Sequence, residues 1–295
     1  MFRRGIISAL TATVLGIAAH VQAQVSVTDD YGNRVMLQRP ARRIVSLAPH
    51  LTELLYAAGA GDRMVGAIEH SDHPEAARKL PRIGSEASIN LEALLSLKPD
   101  LVAAWPNAGS RPQIDRIASL GIPVYRSEPR ELDDVARTLQ TLGELTGTRA
   151  TADAEAQAFR ARAAELQRAH SGKPAVRVFY QVWNRPLMTV NGAHLISKVI
   201  RLCGGENVFA ALPVIAPPID REAVLRANPE VIVASGSDTH RPAWLDDWRV
   251  FPGLTAVARD NLHAVPPELM QRHTPRILDG AERLCAIFDQ ARARR

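Results

Sequence analysis

Cysteine is scarce in this chain, two among 295 residues. That excludes a disulfide-dense secreted scaffold and a cysteine-rich zinc site. Aromatic residues are also few, at 5%. Catalytic signatures are missing altogether: there is no G-x-S-x-G, no P-loop, no H-E-x-x-H and no glycine-rich dinucleotide turn. Gly59-Ala-Gly61 follows a helical stretch where a dinucleotide loop must precede one, and so reads as a helix stop. No run of Lys and Arg is dense enough for nucleic acid, and the formal charge of +5 is a mild excess. Nothing in the chain gives a positive reason to expect an enzyme.

What is present begins with a leader. Met1-Phe-Arg-Arg4 is a basic start, residues 6–19 form an apolar stretch too short to span a bilayer, and Val21-Gln-Ala23 supplies small residues before a cleavage point. The expectation is cleavage after Ala23 and export as a soluble protein. No cysteine lies near that point, so no lipid anchor is expected. In an exported chain the pair Cys203 and Cys285 is a disulfide candidate. It would close a loop on the order of 80 residues, worth about 4–5 kcal/mol in the chain-entropy view. Two buried free thiols are the alternative.

One pattern occurs twice. Asn90-Leu-Glu-Ala-Leu-Leu-Ser-Leu-Lys-Pro-Asp100 and Asp220-Arg-Glu-Ala-Val-Leu-Arg-Ala-Asn-Pro-Glu230 align without a gap, and each leads into an apolar strand. Each copy reads as a capped short helix, a proline stop and a buried strand. This is half of an α/β unit used twice, and two related lobes follow from it. Around the copies, strands are expected at 44–48, 64–68, 122–125, 175–182 and 262–265, with helices between them. Such alternation indicates mainly parallel sheets covered on both faces. A hairpin is expected around Gly32-Asn33. From Glu131 the composition turns helical, broken at Thr146-Gly147-Thr148. The second helix, about 20 residues long, would span about 30 Å and present an Ala154, Ala158, Ala161, Leu166 stripe to other structure. The expected fold is therefore α/β: two doubly wound lobes, 24–130 and 173–295, joined through connecting helices at 131–172 that include one long rigid helix.

Candidate binding residues are sparse. Trp105 and Trp183 each fall just beyond a strand, where ligands bind in doubly wound sheets; packing under a loop is the alternative. His70-Ser-Asp-His73 has the spacing of a metal pair, but His194, His240, His263 and His273 are scattered singly, so polar loop residues are the better reading and no metal site is expected. Glu92 and Glu222 stand two residues after their caps, where either a favourable helix dipole or a symmetric pair of docking charges explains them.

Several of these segments resemble the periplasmic binding proteins of ABC importers for cobalamin, haem and ferric siderophores. The matching runs are Arg43-Ile-Val-Ser-Leu-Ala-Pro49, Thr52-Glu-Leu54, Ala57-Ala-Gly59, Ser71-Asp-His-Pro74, Asn90-Leu-Glu92, Leu97-Lys-Pro-Asp-Leu-Val102 and Leu202-Cys-Gly-Gly-Glu-Asn-Val-Phe209. The likeness is greatest to the cobalamin-binding branch, on Trp105, the cysteine pair, Arg221-Glu222 and Pro275-Arg-Ile277. It implies a monomer that holds one macrocycle, cobalamin or a related corrinoid, in the cleft between lobes, with no cofactor of its own. It also implies delivery to a permease dimer through Glu92 and Glu222. The chain departs from that branch at His70, at Glu86 and near Ala216, where aromatic residues are replaced. Haem, with His70 as an axial ligand, or a ferric siderophore is the alternative cargo; a cleft hydrolase is the reading from another class, without a motif behind it. The expected cleft contacts are Pro49, His50, His70, Glu86 and Trp105 on one side, and Trp183, Met188 and Arg272 on the other.

Overall fold

The computed structural model describes residues 24–107, 109–236 and 241–295. The expected leader, its cleavage point after Ala23, and His240 lie outside the described residues. The first body opens with an antiparallel hairpin, β1 (Val25–Thr28) and β2 (Arg34–Leu37), turning through Gly32 at a positive φ of 81°. There follow β3 (Ile44–Ser46), α1 (Pro49–Ala57), β4 (Met64–Ala67), α2 (Leu91–Ser96), β5 (Leu101–Ala104), α3 (Arg111–Ser119) and β6 (Val124–Arg126). Two helices, α4 (Leu132–Thr146) and α5 (Arg149–His170), come next. The second body contains β7 (Val176–Gln181), α6 (Leu195–Leu202), β8 (Gly205–Asn207), α7 (Arg221–Ala227), β9 (Val231–Ser235), α8 (Thr255–Ala258), β10 (Leu262–Val265), α9 (Pro267–Met270) and α10 (Ile277–Ala293).

Each body holds a four-stranded sheet, and every pairing within it is parallel. Numbered by appearance within its own body, each sheet has the strand order 2-1-3-4: β4-β3-β5-β6 in the first and β8-β7-β9-β10 in the second. The repeat is also visible in atomic detail. Asn90 and Asp220 cap α2 and α7 by accepting the N–H groups of Ala93 (2.9 Å) and Ala223 (2.6 Å). Lys98 and Asn228 end those helices in the left-handed region, at φ 46° and 42°. Arg43 and Arg177 donate to the orphan carbonyls of Leu97 and Ala227, while the carboxylates of Asp100 and Glu230 accept the backbone N–H groups of those same arginines. Helix end, proline and strand start are thus clamped identically in both copies.

Strand side chains alternate between two apolar clusters, as burial on both faces demands. Ile44, Leu101 and Ala103 point to one face, and Val45, Val102 and Ala104 to the other. In the second sheet Val178, Tyr180, Val231 and Val233 face one cluster, and Phe179, Ile232 and Ala234 the other. The inner clusters of the two sheets are one: a continuous core runs from Ile44 through Leu139, Ala156 and Phe159 to Val178 and Leu284. The helices α4, α5 and α10 carry it across.

Two expectations need correction. The buried side of α5 is Ala152, Ala156, Phe159 and His170, with Ala163 and Leu166 packed behind them, whereas Ala154, Ala158 and Ala161 face solvent. In an alanine-rich helix an arginine and an alanine are nearly equal in helix preference, and only Phe159 marks the true face. The short strand β8 was not expected either, because Gly-Glu-Asn carries no strand preference. It forms as a sheet edge, held by backbone pairing to β7. Cys203 and Cys285 are bonded, tying the end of α6 to α10 within the second body.

Candidate functional site

An order of 2-1-3-4 means that the chain leaves strands 1 and 3 in opposite directions, and the crevice at their carboxyl ends is where such sheets bind ligands. In the first sheet these ends lead to Pro49-His50 and to Trp105; in the second they lead to Val182-Trp183 and end at Ser235. All four border one trough. Its first part, about 310 Å³, is lined by Pro49, His50, Glu86, Trp105, Pro267, Glu268, Gln271 and Arg272. Its second part, about 760 Å³, is lined by Val182, Trp183, Asn184, Arg185, Ser235, Ala243, Trp244, Pro267 and Gln271. Pro267 and Gln271, at the two ends of α9, belong to both parts and join them.

Six of the eight residues expected at the cleft therefore meet at the trough. The other two line neither part. His70 stands at its rim in a left-handed conformation, φ 62°, and turns its carbonyl to Arg272 Nη2 at 3.0 Å. Met188 pairs through its backbone with Trp183 and with Pro218, and so supports the loop that carries the tryptophan. Sequence reasoning missed Gln271, Glu268, Pro267 and Trp244. The helix α9 has four residues, too few for a periodic pattern to show.

Local structure explains each position. Glu86 sits on a tight turn closed by Ser85 and Ser88, with Gly84 pairing to Ile89. Gly84 has φ 109°, and a Cβ there would come within 2.2 Å of Ser88 O, so only glycine makes this turn. Gln271 Nε2 donates to Ser235 Oγ at 2.6 Å, fixing α9 to the end of β9. Trp183 is 59% exposed, with its indole N–H held by the Arg185 carbonyl at 3.1 Å. Together with Trp244 it gives the second part of the trough an aromatic wall.

At the back of the trough the two bodies lock together. Glu53 on α1 has a side chain only 3% exposed, and it accepts from Arg272 Nη1 (2.8 Å), Arg276 Nε (3.0 Å) and Arg276 Nη2 (2.9 Å). These arginines lie on the loop between α9 and α10, more than 200 residues away in sequence. Beside this lock three histidines form a row. His50 meets Trp105 edge-on (5.6 Å between ring centres), His273 is 6.1 Å from His50, and His194 is 5.7 Å from His273. Burial, reinforced by His273 and Arg272, pushes His50 down to about 3. His194 falls to about 3 and His273 to about 4, again mainly through burial. His50 Nε2 is buried without a hydrogen-bond partner among the described residues. At neutral pH the row is uncharged. Among the described residues no group of three or more His, Cys, Asp or Glu is placed to hold a metal ion.

A histidine kept neutral by burial takes up its proton only on unfolding. Its contribution to stability is complete above about pH 6.5 and is lost as the pH falls toward the folded values. The urea midpoint should accordingly drop between pH 7 and pH 5. His273→Gln should remove about 1–2 kcal/mol of that drop. A variant with the same pH profile as the parent would show that His273 does not titrate on unfolding.

Residues 44–269 match the periplasmic binding protein family, and the chain belongs to that family. Among its relatives, a vitamin B12-binding protein of Vibrio cholerae is 37% identical over 250 residues, covering 84% of this chain and 90% of that protein. One from Yersinia pestis is 38% identical over 249 residues, covering 83% and 85%. The crystal structure of a periplasmic vitamin B12 binding protein of Vibrio cholerae superposes with a TM-score of 0.78 at 36% identity, over 86% of this chain and 98% of that one. A periplasmic heme-binding protein from Roseiflexus sp. RS-1 shares the fold, with a TM-score of 0.73 at 24% identity, over 85% and 99%.

Proposed function

We propose that this chain is an exported, monomeric carrier that captures cobalamin or a related corrinoid in the trough and hands it to an ABC importer. The observation that carries this reading is the meeting of two topological switch points across one trough, with Trp105, Trp183 and Trp244 on its walls. A flat macrocycle needs apolar faces to lie between and polar groups at its edge, and the trough supplies both. The vitamin B12-binding relatives support the choice of cargo. In this reading the lobes are 24–130 and 173–295, residues 131–172 connect them, and the leader ends at Ala23. Pro49, His50, Glu86, Trp105, Trp183 and Arg272 contact the ligand, His70 and Met188 support them, and no bond is made or broken. Glu92 and Glu222 dock the permease dimer.

Calorimetry of the purified mature protein against cyanocobalamin, cobinamide and haemin tests the cargo: corrinoid binding is expected, and haemin binding alone would overturn the reading. Trp183→Ala should weaken corrinoid binding about tenfold, because an exposed aromatic anchor contributes through its ligand face. The melting temperature should hardly move, since the indole stands largely in solvent. Unchanged affinity would remove Trp183 from the site.

A further inference from the structure

The first part of the trough is lined by two carboxylates, Glu86 and Glu268, and one guanidinium, that of Arg272. Glu86 and Glu268 line it without a hydrogen bond or ion pair to any described residue. Arg272 lines it too, but its guanidinium is already committed to Glu53 and to the His70 carbonyl. Arg185, the other arginine among the described lining residues, belongs to the second part. Around the turn of Glu86, burial raises the carboxyl above its ordinary range, while His70 and Arg272 hold it down. Two carboxylates therefore line the trough with no hydrogen-bond donor from the described residues on either. What complements such a wall is a row of neutral N–H donors. What it repels is a second row of carboxylates.

Resting on the corrinoid reading above, we infer that Glu86 and Glu268 select the ligand by the chemistry of its edge. They accept hydrogen bonds from carboxamide arms and exclude macrocycles whose arms are carboxylates. An anionic substituent is accommodated only when turned toward Arg185 at the other end of the trough. This assigns the two acids a role in specificity that the apolar walls cannot play, because flat faces stack alike whatever their edge carries.

The test compares two corrinoids with the same ring, dicyanocobinamide with amide arms and dicyanocobyrinic acid with carboxylate arms. Neither has a phosphate, and any attraction of Arg185 for the carboxylate arms favours the acid form, so it works against the expected ratio. Titrations followed by tryptophan fluorescence should show the amide form binding about a hundredfold more tightly to the parent protein. In the Glu86→Gln, Glu268→Gln double variant that ratio should shrink about tenfold or more, chiefly through tighter binding of the carboxylate form. Glutamine is isosteric, and circular dichroism confirms that the variant is folded. A ratio unchanged in the folded variant, or equal binding of both forms to the parent, overturns the selection while the corrinoid reading stands. Binding of neither corrinoid to the parent overturns both.

Discussion

Replacing Glu92 and Glu222 together with alanine is expected to abolish uptake and the stimulation of ATP hydrolysis in permease vesicles, while leaving ligand binding in solution unchanged. Both residues are second in their helices, and both are exposed. The helices that carry them are related by the repeat, down to their caps and their left-handed ends. Neither carboxylate has a partner among the described residues. Two free acids at equivalent points of two equivalent bodies are what a two-fold partner with two basic clusters would meet. Losing one member of a desolvated interfacial pair costs about 2–5 kcal/mol, so losing both exceeds what a transient complex can spare. The single variants should each be impaired and the double variant inactive. Normal uptake by the double variant would reduce these acids to partners of the helix dipole.

The largest loss of stability is expected from Glu53→Ala. The substitution removes the only carboxylate among the described residues that bonds both Arg272 and Arg276. Breaking a buried ion pair from one side costs about 3–5 kcal/mol. The lower end applies here, because the arginines are 23% and 26% exposed and can partly rehydrate. Urea unfolding should show a midpoint lowered accordingly. Corrinoid affinity should fall as well, since Arg272 would lose its anchor at the trough wall. Glu53→Gln should lie between the parent and the alanine variant. An unchanged midpoint for Glu53→Ala would mean that the shared core alone holds the bodies together.

Much of the architecture was legible because it is local. Caps, proline stops and apolar strands repeat within short windows, so the aligned copies at 90–105 and 220–235 pointed to two related sheets, and the strand ends pointed to Pro49, Trp105 and Trp183. The contacts that complete the site are not local. Glu53 meets arginines separated from it by 219 and 223 positions, and no periodicity links them. The segments of Glu53 and Arg276, Thr52-Glu-Leu54 and Pro275-Arg-Ile277, stood out only by resemblance and without a role, and Arg272 was expected as a cleft contact rather than as a partner of Glu53. Met188 was expected in the cleft from its place in the loop, but its backbone pairing turns it into a support. The lining by Gln271 and Glu268 depends on where a four-residue helix docks, which only tertiary packing decides.

The continuous core and the Glu53 lock have a consequence for traffic. If the shared core and the Glu53 ion pair hold the waist fixed, the proposed carrier would present the same outline whether its trough is full or empty, and a transporter touching the outer tips would have no shape by which to sort one from the other. Unladen copies would then occupy the gate as readily as laden ones. Throughput would depend on how long each visitor stays and on how many empty carriers queue per transporter, so making more carrier than there is cargo would slow uptake.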